Sequence, residues 1–330
     1  MRNFSSIKTE PLQVEIVKPR ALIYYSKGSD LLRVDPQSQN DSVKTLETQG
    51  EIGQLDLNAS KSQVTYEVKS ATGNWEIWQG DFNNIQKEKI APDDSAQELV
   101  PYENFSAPKY SPDKNKLSYL AQSSSSDAII IQDIVTGDLE KVEPDTKIKI
   151  ADYSWNNKSD SLIYCSSNPP AGGAKNACFV FNLANKQNTK AFEREIKKVS
   201  WSKTDNIFYL SSGETPHIYT ANIAGGSPVQ IDDVSSPKNI INFQINNQGE
   251  KIVYEIVADQ KSDIYLSNID GSNRLQLTTD GLAHQPIFSP EDEIAYLRQK
   301  DGIYTIESDK TNERKIISLE DTINNLLIWG

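Results

Sequence analysis

Hydrolysis through a nucleophile needs a base and an orienting acid beside it, and histidine is the usual base. The chain has two histidines, His217 and His284, and no Gly-x-Ser-x-Gly turn. No catalytic set is therefore expected, and the chain reads as non-enzymatic. Two histidines and two cysteines at these positions fit no zinc spacing. One oxygen-rich run, Asn268-Ile269-Asp270-Gly271-Ser272-Asn273, resembles a calcium loop. It reads better as a hairpin turn, because equivalent turns recur without the carboxylates, so no metal or cofactor is expected.

The two cysteines carry the other chemistry in view. Cys165 ends one expected strand and Cys178 begins the next, and residues opposed across an antiparallel pair come close enough to bridge. Either they form a disulfide, implying an oxidising compartment, or they are two buried free thiols.

Bulk properties exclude several partners. Formal charge is −12 with scattered Lys and Arg, so no positive stripe exists to displace counterions from a phosphate backbone, and no nucleic-acid partner is expected. No run approaches the roughly 20 apolar residues of a membrane helix. Residues Met1 to Glu10 lack the basic and apolar regions of a secretory signal, so either export is absent or a leader has been removed. A monomer is expected.

The elements that must hold any site appear as a repeat. The phrase aliphatic-x-Tyr recurs in a periodic set of seven, ending at Tyr24, Tyr66, Tyr119, Tyr164, Tyr209, Tyr254 and Tyr296, with spacings of 42, 53, 45, 45, 45 and 42. Eight or nine residues before each of the last six stands a large apolar residue: Leu57, Tyr110, Trp155, Trp201, Ile245 and Phe288. Turn formers such as Ser111-Pro112-Asp113 separate the two marks, which reads as a hairpin of strands A and B. Two further β-rich runs, such as Ile264-Tyr265-Leu266 and Leu275-Gln276-Leu277, supply strands C and D. Seven four-stranded units without a helical pattern predict an all-β, seven-bladed β-propeller over residues 20–330, behind an N-terminal arm or linker at 1–19.

The first unit lacks a well-spaced strand A. The final residues, Asn325 to Gly330, align with Gln285 to Ser289, Trp329 standing in the place of Phe288. The last strand would then complete the first blade and leave no inner edge open. The alternative is that Val14 to Val17 is that strand. The recurring aromatics Tyr110, Trp155, Trp201, Phe288 and Trp329 are expected between neighbouring blades.

With strand A innermost, B–C and D–A loops share one face, and the two departures from the period fall there. These are the connection from Ala91 to Phe105 and the loop from Ser166 to Ala177, which holds Pro169-Pro170-Ala171-Gly172-Gly173. Recognition usually resides in such loops. The channel mouth offers Asp152, Lys197, Asn242, His284, Gln285 and Asn325, a mixed set suited to polar recognition. His284 is either a ligand contact or a solvent-exposed or locally satisfied loop histidine, and His217 reads as a rim residue. Trp75, Tyr102 and Phe105 lie on or beside the same loops, either as exposed anchors or packed beneath them.

The stretches Tyr110-Ser111-Pro112-Asp113, Phe288-Ser289-Pro290-Glu291, Ser262-Asp263-Ile264-Tyr265 and Leu275-Gln276-Leu277-Thr278 resemble the TolB-like propeller repeat. That resemblance spans about residues 20–330 and implies the seven-bladed fold. It also implies an exported or envelope-associated binding protein, since a peptide partner enters the central funnel of the family's periplasmic adaptor. The expected function is thus a non-enzymatic module for a protein or peptide segment, in the periplasm or at the cell surface. The alternatives are a lactonase- or cyclotransferase-type propeller enzyme with a channel metal, and a spacer domain of a membrane-anchored protein.

Overall fold

In a computed structural model the chain is built from four-stranded antiparallel sheets, with no α-helix among the described residues. Those residues are 21–38, 41–82, 86–92, 99, 101–144, 147–167, 175–223, 228–318 and 325–329. The arm at 1–19, the alternative strand Val14 to Val17 and the stretch Pro169 to Gly173 lie outside them.

Each sheet is one blade, taken from strand A to strand D. Blade 1 comprises β28 (Asn325–Trp329), β1 (Ile23–Lys27), β2 (Asp30–Val34) and β3 (Ser42–Glu47). Blade 2 is β4 (Ile52–Leu57), β5 (Gln63–Lys69), β6 (Trp75–Asp81) and β7 (Lys87–Ala91). Blade 3 is β8 (Asn104–Tyr110), β9 (Lys116–Gln122), β10 (Asp127–Asp133) and β11 (Leu139–Val142). Blade 4 is β12 (Ile150–Trp155), β13 (Ser161–Ser166), β14 (Ala177–Asn182) and β15 (Gln187–Glu193). Blade 5 is β16 (Ile196–Trp201), β17 (Asn206–Ser211), β18 (Ile218–Asn222) and β19 (Val229–Gln230). Blade 6 is β20 (Asn239–Ile245), β21 (Lys251–Ala258), β22 (Lys261–Asn268) and β23 (Leu275–Gln276). Blade 7 is β24 (Ala283–Phe288), β25 (Ile294–Arg298), β26 (Gly302–Ile306) and β27 (Arg314–Ser318). The ring closes where β28 pairs with β1, Trp329 opposite Ile23 and Asn325 opposite Ser26.

A blade buries both faces, so its middle strands need apolar side chains on each side of the pleat. The seven repeat tyrosines meet that need: all sit on B strands and are at most 2% exposed. Four stack on the aromatic directly opposite on strand C, as Tyr164 does on Phe179, Tyr209 on Tyr219, Tyr254 on Tyr265 and Tyr296 on Tyr304, with centroids 5.3–5.9 Å apart. Such cross-strand aromatic pairs stabilise a sheet beyond area burial alone. Desolvation pushes the Tyr66 and Tyr209 hydroxyls up to about 12.

Seven apolar clusters fill the spaces between neighbouring blades. The one that seals the ring joins Ile23, Tyr25 and Val34 to Ile287, Leu297, Ile303 and Trp329. Tyr110, Trp155, Phe288 and Trp329 are buried in these layers, while Trp201 is only partly buried. Trp155 also donates its Nε1 hydrogen to Ser118 Oγ at 2.8 Å.

Cys165 and Cys178 are joined by a disulfide between the facing strands β13 and β14. The bridge closes a loop with a sequence separation of 13, which restricts the unfolded chain by about 3 kcal/mol. The double variant C165A/C178A should lose about that much in urea unfolding. A loss under 1 kcal/mol would show that the unfolded chain is already restrained there.

Candidate functional site

The seven A strands line the axis, and each breaks register with its B strand. The irregularities fall between Ile52 and Leu55, Ser106 and Lys109, Ile150 and Asp152, Ile196 and Lys198, Ile240 and Asn242, and His284 and Ile287, and at the β28 step opposite Tyr24 and Tyr25. A bulge adds residues to one strand, so neighbours in sequence can face the same side. Seven bulges in a ring turn the inner strands into a polar wall.

That wall encloses a cavity of about 690 Å³, to which every blade contributes. Asp152, Lys197, Asn242, Gln285, Asn325 and Trp75, all expected from the sequence, line it. Lys109, Lys198, Glu51, Glu67, Gln244 and Ile241 line it as well. Those six escaped the sequence reading, although the position three residues before the large apolar residue that marks strand A, which selects Asp152, Asn242 and Gln285, also selects Lys198.

Side chains of one A strand satisfy backbone groups of the next. Asp56 Oδ2 accepts the Tyr110 N–H at 2.8 Å, Ser154 Oγ the Trp201 N–H at 3.1 Å and Gln244 Oε1 the Phe288 N–H at 3.0 Å. Each acceptor precedes its strand's repeat aromatic or aliphatic residue, and each N–H belongs to the aromatic one blade on. A backbone donor left unpaired beside the cavity would cost about 1–3 kcal/mol, so this register carries polar residues.

The charged wall residues are similarly engaged. Asp152 takes Lys109 Nζ at 2.9 Å on Oδ1 and the Val199 N–H at 3.0 Å on Oδ2. Lys109 also reaches the Tyr153 carbonyl and lies 4.4 Å from that ring's centroid. Lys198 Nζ donates to Asn242 Oδ1 at 2.7 Å. Desolvation pushes the Lys198 ammonium down to about 8; Asp152 opposes that shift and Lys109 adds to it. Gln285 Nε2 meets Asn325 Oδ1 at 3.3 Å across the ring closure.

Two buried glutamates hold the most contorted part of the wall. Ala107 and Gln285 have φ of 54° and 53° and each precedes a proline, a combination costing on the order of 1–3 kcal/mol. Glu67 accepts the Ala107 N–H and, at 2.9 Å, the Gln54 N–H. Glu255 accepts the Gln285 N–H at 2.9 Å, His284 Nδ1 at 2.9 Å and Ser262 Oγ at 2.7 Å. Neither glutamate was expected from the sequence.

Burial pushes the Glu67 carboxyl up from 4.5, with the two N–H donors and Lys109 opposing the shift. A raised folded-state value means the native state holds the proton more tightly than the unfolded one. Stability therefore falls as pH rises through the window above 4.5. Relative to Glu67→Gln, the wild type should gain stability as pH is lowered from neutrality toward 4.5, in urea titrations at fixed salt. A difference that stays flat over this window would show that burial does not govern this carboxyl.

Three of the expected recognition residues sit elsewhere. Phe105 is fully buried and Tyr102 is 8% exposed, both in a cluster with Ile77, Leu99 and Tyr119. The long connection needs its own apolar floor, so these aromatics pack beneath it rather than anchoring a partner. His284 is held by Glu255 and is not among the residues that line the cavity. His217 locks its own blade: its Nδ1 meets Asp232 Oδ1 at 2.8 Å while Asp232 Oδ2 accepts the Ile218 N–H. In blade 6 the same place is taken by Asp263 and Thr278, so the Asp-Ile-Tyr and Leu-Thr stretches are structural.

Gly271 N–H bonds to Asn268 O within a turn joining β22 and β23, and Asp270 Oδ1 accepts from Ser272. Among the described residues no group of three His, Cys, Asp or Glu is placed to hold a metal ion. No helix there is long and apolar enough to cross a membrane.

The chain is similar to TolB from Acinetobacter baumannii, with 14% identity and a TM-score of 0.54 over 78% of the chain and 63% of that protein. It is similar to the tricorn protease at 13% identity and TM-score 0.63, over 92% of the chain and 34% of the protease. Oligogalacturonate lyase in complex with manganese gives 11% identity and TM-score 0.64, over 90% and 84% of the two chains. These identities carry the fold alone, and the chain spans less than two thirds of the first two proteins. Among curated proteins nothing matches its sequence. A family model described as TolB beta propeller domain matches residues 94–326, more than half of the sequence, and the chain belongs to that family.

Proposed function

We propose that this propeller is a non-enzymatic module that binds a peptide or protein segment in its axial cavity, outside the cytoplasm. One observation carries the reading: a cavity of about 690 Å³ walled by seven bulged strands, with amides and charges beside Trp75, Ile241 and Pro286. Its volume lies within the range of ordinary ligand sites. Polar groups that can hydrogen-bond a backbone, next to apolar side chains, suit an extended segment. The Cys165–Cys178 bridge supports an oxidising compartment, since disulfides seldom persist in the cytosol.

The test is thermal unfolding of the intact protein with pooled peptides from envelope proteins. A bound segment at 100 times its dissociation constant should add about 2.7 kcal/mol. Binding should weaken on Trp75→Ala. If no pool raises the melting temperature, the binding reading fails; metal-dependent turnover of a small substrate would favour the enzyme alternative.

A further inference from the structure

Along the axial cavity, strand β16 carries two lysines that form no ion pair among the described residues. Its bulge between Ile196 and Lys198 puts two consecutive lysines on the cavity wall. Lys197 is exposed, with no hydrogen-bond or ion-pair partner among the described residues. Lys198 has an amide oxygen as partner, Asn242 Oδ1 at 2.7 Å, and lies 5.5 Å from the Phe243 ring centroid. The nearby carboxylate, Asp152, is already committed to Lys109 and the Val199 N–H. Asn242 Oδ1 also accepts the Phe243 N–H, which leaves Nδ2 as a further donor.

We propose that Lys197, Lys198 and Asn242 form a subsite for a carboxylate carried by an acidic peptide lying in the axial cavity. This rests on the binding reading above and deepens it. An ammonium in a partly desolvated wall gains most from an anion, because Coulomb attraction there is far less screened than at the surface. The cavity of about 690 Å³ is much larger than a lone carboxylate, and Ile241, Trp75 and Pro286 share its wall, so the anion is one group of a longer ligand. With −12 net charge the outer surface repels acidic segments, which confines the attraction to this wall.

The experiment titrates the intact protein calorimetrically at pH 8 with end-blocked hexaglutamate, hexaglutamine and succinate, in two buffers of different ionisation heat. Hexaglutamate should bind about 10-fold or more tightly than hexaglutamine, as expected for one gained charge-assisted contact. The K197Q/K198Q variant should lose that preference while melting near the wild type. Lys197→Gln alone, at an exposed position, should reduce the preference several-fold and serves if the double variant does not fold. An anion beside Lys198, whose ammonium loses its proton at about 8, favours the charged form, so wild-type binding should take up protons. Lys198→Gln should abolish that uptake; Lys197, Lys109, Asp152, Glu67 and Glu51, the other charged groups of the wall, remain in both proteins.

Equal affinity for the two hexapeptides would overturn the carboxylate subsite and leave the binding reading standing. A preference unchanged in K197Q/K198Q would place the anion elsewhere and overturn the assignment. Succinate matching hexaglutamate would make the ligand a free acid and overturn the peptide part. If neither hexapeptide binds while the envelope pools do, the subsite alone fails.

Discussion

Deleting residues 325–330 should abolish the cooperative native transition at 37 °C, or lower stability by more than about 5 kcal/mol, on the scale of a domain's whole stability. The deletion removes strand A of blade 1 and leaves the inner edge of β1 unpaired. Truncating one buried tryptophan such as Trp329 costs about 3–5 kcal/mol, and each lost strand hydrogen bond adds about 1 kcal/mol. Ile23, Tyr25 and Val34 would lose part of their cover against blade 7, and the opened edge should recruit other chains. Light scattering should therefore rise together with the loss of the thermal transition. Trp329→Ala separates the two contributions, since it removes the side chain and keeps the strand. A deletion mutant that melts cooperatively within a few degrees of wild type, as a monomer, would show that the ring does not depend on this seam.

Glu255→Ala should cost about 3–5 kcal/mol in urea unfolding, since each buried donor left without its acceptor costs about 1–3 kcal/mol. Glu255 is 2% exposed and holds three donors, the Gln285 N–H, His284 Nδ1 and Ser262 Oγ. Without it, those donors are left in a space an alanine cannot fill, and the positive-φ turn at Gln285 loses its restraint. His284→Ala removes one donor and leaves the carboxylate two, so it should cost only about 1 kcal/mol. That contrast separates a wall brace from a ligand-binding histidine. If Glu255→Ala costs no more than His284→Ala, the carboxylate is not what holds blade 7 against blade 6.

Both effects show how the cavity keeps its shape. Its wall is irregular backbone, and irregular backbone persists only where its surroundings over-determine it. Glu67 and Glu255 do this at two bulges, and side-chain acceptors Asp56, Ser154 and Gln244 tie successive inner strands. A cavity built in this way changes little when a ligand enters, so affinity is not spent on ordering the wall.

Much of the architecture is legible in the residues themselves. The tyrosine period, the hairpin turns and the match of Trp329 to Phe288 name seven blades, their strand order and the closing strand. They do so because strand alternation and turn chemistry are local, and because each blade must bury the same two faces. The facing positions of Cys165 and Cys178 follow from the same local logic. What chain order alone left open was where side chains go once the ring closes. Phe105 and Tyr102 look like loop aromatics in sequence but form the floor of a core cluster, and His284 looks like a channel residue but turns back to Glu255. Lys198 and Glu67 reach the cavity through bulges and contacts between adjacent blades. A bulge shifts a residue from one face to the other without changing composition, and contacts between blades join residues some 40–50 positions apart. The strands could therefore be read from the residues themselves, whereas the wall of the site came into being only when neighbouring blades were brought together around the axis.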